Sequence, residues 1–157
     1  MEDPVEAWVG LLRQVPSRSA HVLAGRILEG VTREDSAARY CVSVEAYDVL
    51  LWRSARDLLA ARRGEGPTRP LPYSEEAKLA AALAEALETK GGTECPEAAL
   101  LEELAVHATV VRSALAAAER ADDASPARRR EDVVRWLAVA ALVALTAYFY
   151  FFGRAAS

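Results

Sequence analysis

Two cysteines, two histidines and one methionine in 157 residues leave little for metal or redox chemistry. Cys41 and Cys95 are too few for a disulfide framework, and with only His21 and His107 beside them no spacing resembles a zinc site. No run alternates apolar and polar side chains for more than a few residues, which argues against strands. The start of the chain, MEDPVEAWVG, is acidic and has no apolar core, so no signal peptide is expected there. A net charge of −4 excludes a strongly basic nucleic-acid binder. No phosphate-binding glycine loop and no nucleophile with a partner base occurs. Glu102-Glu103 reads as a solvated helix face rather than an acid/base pair, so neither an enzyme nor a bound cofactor is expected.

What is present is helix, rich in Ala, Leu, Arg and Glu. Asp3-Pro4 has the form of an N-cap followed by Pro at the first helical position, opening a helix to about Val15 that Pro16 ends. A second helix is expected from about Ser19 to Glu29, stopped at Gly30. Thr32 caps a third to Tyr40, and Ser43 a longer fourth to about Arg63. Then comes GEGPTRPLPYS, Gly64 to Ser74, which reads as a linker and domain boundary. Ser74 is expected to cap a helix to about Lys90, Gly91-Gly92 to break it, and Pro96 to start another running to about Ala121. In that last helix Leu101, Leu104, Ala108, Val111, Leu115 and Ala118 recur at spacings of three and four. Such a seam suits a helical hairpin, or a homo-oligomer through 97–121.

The one long apolar run is Trp136 to Phe152, WLAVAALVALTAYFYFF, without a charge. As a helix it would rise roughly 26 Å, enough for the hydrocarbon core of a bilayer. Trp136 at one end and Tyr148 and Tyr150 at the other suit the two membrane interfaces. Arg128, Arg129, Arg130 and Arg135 before the run outnumber the lone Arg154 after it. The positive-inside bias then predicts a single-pass inner-membrane protein with a cytoplasmic N-terminus. The expected fold is all-α: a helix-turn-helix bundle over 1–63, a linker over 64–74, a helical hairpin over 75–122, a basic juxtamembrane segment over 123–135 and a transmembrane helix over 136–153.

Residues 28–58, LEGVTREDSAARYCVSVEAYDVLLWRSARDL, have the lengths of a helix-turn-helix. Glu29-Gly30, Thr32, Glu34, Ala37-Ala38, Val42-Ser43, Leu51, Arg53, Arg56 and Leu58 resemble the region-4 promoter-recognition domain of bacterial sigma factors, in particular the extracytoplasmic-function group. The likeness covers about Ala20 to Leu59. It implies a helix over 44–63 that enters the major groove. Projected at 100° per residue, that helix buries Val44, Tyr47, Leu51, Ala55 and Leu58. Its outward face, expected to meet a protein partner or DNA, holds Glu45, Asp48, Val49, Trp52, Arg53 and Arg56.

This sequence departs from the family where DNA would be read. Asp48, Val49 and Leu50 stand where the family tends to have a Lys-Ser-Arg run, and carboxylates repel phosphates. Cys41 stands where the family usually has a left-handed Gly. The resemblance thus implies a degenerate helix-turn-helix in transcription control, bound to RNA polymerase, to a sigma or anti-sigma partner, or weakly to DNA. The rival reading is a non-catalytic scaffold or accessory subunit of a membrane complex. Trp52 is either an interface anchor or packed against another element.

Overall fold

The computed structural model describes residues 3–66, 68–89, 95–123, 136–143 and 145–146. Helix is the only regular structure among them: α1 Pro4–Gln14, α2 Ser17–Leu23, α3 Arg33–Arg39, α4 Val44–Arg62, α5 Tyr73–Thr89, α6 Pro96–Val106 and α7 Ala108–Asp123. Residues 1–115 form one compact unit and 116–157 a second.

The starts of these helices follow local chemistry. The Asp3 carboxylate accepts from the Val5 N–H at 2.9 Å, with Pro4 next in line. The Thr32 and Ser43 hydroxyls accept from the N–H groups of Asp35 and Ala46, three residues on. Val15 is extended, as the residue before Pro16 must be, so α1 ends there. α2 does not stop at Leu23. It widens into a single π turn over Ala24–Leu28 before Gly30, at φ +69°, ends it.

Two helix ends share one device. After α4, the Gly64 N–H donates to Ala61 O and the Glu65 N–H to Ala60 O, with Gly64 at φ +69°. After α3, the Cys41 N–H donates to Ala38 O and the Val42 N–H to Ala37 O, with Cys41 at φ +54°. Both are left-handed caps that satisfy the last carbonyls. In the second, a cysteine accepts the conformation that glycine normally supplies. The turn keeps its shape and bears the strain.

The core is continuous from Trp8 in α1 to Val111 in α7. α4 runs through its middle, packed by α1, α2 and α3 from before it and by α5 and α6 from after it. Tyr47, Leu51, Ala55 and Leu58 are buried on one side of it, with Val44 partly so. The Gly/Pro segment over 64–72 therefore joins two parts of one core. Thr68 donates its hydroxyl to Asp57 in α4 at 2.9 Å, and Asp57 also accepts from the Ser19 hydroxyl at 2.8 Å, so even this loop is tied back. The expected continuous helix after Pro96 is broken at His107, where ψ is 4°. Within the seam Leu101, Leu104 and Val111 are buried in this core, and Ala108 and Leu115 are packed against it.

The C-terminal expectation is corrected. Among the described residues no helix is long and apolar enough to cross a membrane. Residues 136–143 and 145–146 are helical and exposed, Trp136 included. The transmembrane helix over 136–153, the bilayer as a partner and the inner-membrane, single-pass location are overturned on that ground. Arg128, Arg129, Arg130, Arg135, Tyr148 and Tyr150, assigned to membrane interfaces, lie outside the described residues.

Candidate functional site

The helix-turn-helix segment folds as α3, a turn of left-handed Cys41, and α4. The face of α4 that the sequence assigns to a partner or to DNA is mostly covered. Asp48, Val49 and Trp52 are 5 %, 3 % and 3 % exposed. Only Glu45 and Arg53 stay open, with Arg56 between the two extremes. Trp52 is packed rather than presented, and the Arg56 guanidinium lies over its ring at 5.3 Å from the centroid.

What fastens α5 over this face is charge. Arg53 donates through Nε to Glu76 Oε2 at 3.0 Å and again through its terminal nitrogen. Glu76 is 1 % exposed, and its second oxygen accepts from the Leu71 N–H at 3.4 Å. The Arg53 hydrogen bonds hold the Glu76 carboxyl below the usual carboxylate range against the opposing effect of burial, and the charge of Arg56 adds to them. At the other end Arg33 of α3 grips Asp48 with two nitrogens, one at 2.7 Å, and reaches Glu88 of α5 at 3.4 Å. Glu76 thus lies by the middle of α4 and Glu88 by its start, so α5 runs antiparallel to it. Ala80 and Leu83, one and two turns after Glu76, are fully buried between these two anchors.

The open remainder of the unit is acidic at the start of α4. Glu45 is exposed there, as Glu34 and Asp35 are in the first turn of α3, and the Glu45 carboxyl is held low by its own backbone N–H and the Ser43 hydroxyl. Arg39, the nearest exposed cation in α3, is shared with Glu29 at 3.5 Å. These carboxylates repel a phosphate backbone, and the α3 cations Arg33 and Arg39 are already paired.

Sequence reasoning missed the roles of Arg33, Glu76 and Glu88. Their signal was the pairing of an acidic, amphipathic helix with a helix whose polar side carries two arginines. The Gly/Pro segment between them hid it by suggesting separate domains. Among the described residues no group of three or more His, Cys, Asp and Glu is placed to hold a metal ion. His21 is exposed and bonded to the Ser17 carbonyl, and Cys95 is half-buried with burial raising its thiol. Glu103 pairs with Arg62, whose guanidinium also covers the Trp8 ring. Comparisons with family models, with curated proteins and with solved structures find no significant match.

Proposed function

We propose that this chain is a non-catalytic regulatory protein of transcription control that acts by contact with RNA polymerase or with a sigma or anti-sigma partner, and not by reading DNA. One observation carries the reading: the helix that resembles the promoter-reading helix of sigma region 4 has Asp48, Val49 and Trp52 buried and Arg53 spent on Glu76. A major-groove reader needs that side open, because sequence is read by side chains that reach base edges. The acidic rim of Glu34, Asp35 and Glu45 favours a basic protein surface over a phosphate backbone.

The test uses the full chain at two salt concentrations, against promoter duplexes and against purified RNA polymerase and isolated sigma and anti-sigma factors. Expected are saturable binding to polymerase or to a sigma or anti-sigma factor, and DNA binding no tighter than the roughly 10⁻⁴ M of non-specific contacts. Sub-micromolar, sequence-dependent DNA binding at physiological salt would overturn the reading. So would failure to bind polymerase, every sigma factor and every anti-sigma factor offered.

A further inference from the structure

Beside the segment that follows α4 lies an open cavity of about 510 Å³, within the roughly 300–1,000 Å³ of small-molecule sites. Its apolar wall is Val15 and Pro16, from the junction of α1 and α2, with Ala60 and Ala61 of α4. Its polar lining comes from Gln14, Asp57, Glu65 and Thr68. Two of these are carboxylates, and among the described residues no Lys, Arg or His lines the space.

Asp57 is the organised group. Ser19, itself 8 % exposed, donates to one of its oxygens at 2.8 Å, and Thr68 donates to the other at 2.9 Å. These hydroxyls fix the carboxylate without neutralising it, and each oxygen keeps a second acceptor direction. Asp48 and Glu76 each pair with an arginine, whereas the partners of Asp57 among the described residues are the two neutral hydroxyls. A half-buried carboxylate in that state lacks its counter-charge. Glu65 is exposed and meets Arg63 only at 4.0 Å.

We propose that this cavity binds a small organic cation, its ammonium on Asp57 and its apolar body against Val15, Pro16, Ala60 and Ala61. An anion would be repelled by both carboxylates, and a neutral molecule would leave Asp57 uncompensated. Calcium or magnesium needs an array of oxygens, and here apolar side chains face the single organised carboxylate. The site sits in the second half of α4, whereas Glu45 lies in its first turn. It therefore stands independently of the protein-contact reading.

The probe is benzylammonium chloride, titrated into the isotopically labelled full chain and followed by backbone amide NMR shifts. Sodium benzoate supplies the same ring with the opposite charge, and benzyl alcohol the ring without charge. Sodium chloride holds ionic strength equal throughout. Benzylammonium should give shifts at Val15, Ala60, Ala61 and Glu65 that saturate in the millimolar range or below. The other two compounds should give none that saturate. Asp57→Asn keeps the size of the side chain and removes its charge, so it should weaken benzylammonium at least about tenfold. Ala61→Leu fills part of the cavity and leaves the carboxylate in place, so it too should weaken binding, and it is read where Asp57→Asn does not fold. Unsaturable shifts, shifts spread over the exposed carboxylates of the surface, or equal binding by benzyl alcohol would each overturn the proposal. Unchanged affinity in folded Asp57→Asn or Ala61→Leu would do the same.

Discussion

Cys41 is a residue whose backbone outranks its side chain. An L-residue in the left-handed region costs roughly 1–2 kcal/mol, while Gly gives part of that back through its freer unfolded chain. Cys41→Gly should therefore raise stability by up to about 1 kcal/mol, read as a shift of the urea midpoint at unchanged slope. Cys41→Val should lower it, since a β-branched side chain tolerates positive φ worst. Tyr47 tells the opposite story. Its ring is fully buried and stacked near Tyr40 at 6.0 Å, yet its hydroxyl has no hydrogen-bond partner among the described residues. Burial pushes its ionisation up. Removing an unsatisfied buried hydroxyl relieves a desolvation cost, so Tyr47→Phe should be neutral or stabilising by about 1 kcal/mol in thermal melts. Trp52→Ala should instead behave as a core truncation and cost about 3–5 kcal/mol.

Glu76 sets the behaviour of the α4–α5 contact with pH. Its folded-state ionisation is depressed by the Arg53 hydrogen bonds. A depressed carboxylate contributes stability that is present above its unfolded value, near pH 4.3, and lost as pH falls through the folded value. Stability should therefore decline on acidification below about pH 4.3, and Glu76→Gln should flatten that acid limb. An unchanged limb in the variant would show that other carboxylates govern it. The linker has its own test. Trypsin should nick after Arg63, since Arg69 is followed by Pro70, but the two fragments should stay associated and helical until denatured. Fragments that separate on gel filtration without denaturant would contradict a shared core. Three helix starts were legible at this scale because caps are local: Asp3, Thr32 and Ser43 each act within three residues, whereas α2 and α5 begin before the expected Ser19 and Ser74. The π turn over Ala24–Leu28 and the break at His107 were not, because packing sets them and no Pro or Gly marks the second.

Across the whole molecule, the all-helical character and the inward face of α4 could be read from period and propensity. What could not be read was which helix covers the other side of α4. A helical wheel sorts residues into faces but does not say how many faces find a partner, and Gly64 to Ser74 has the composition of a linker whether its ends part or fold back. Of the candidate face, Asp48, Val49 and Trp52 are buried and Arg53 pairs with Glu76, while Glu45 stays exposed. The apolar run from Trp136 reads as a span on length and lack of charge, but among the described residues no helix is long and apolar enough to cross a membrane.

The central place of α4 also has a consequence in time. It is made before the helix that covers it. While the ribosome adds the stretch from Arg62 to Thr89, roughly 1–5 s at ordinary elongation rates, Val49 and Trp52 have no α5 to lie under. For that interval the nascent chain shows an apolar surface fringed by arginines, a feature that chaperones bind. Delaying the emergence of α5 from the ribosome after that of α4 should lengthen the exposure and lower the yield of folded protein, while the same delay once α6 has emerged should matter less.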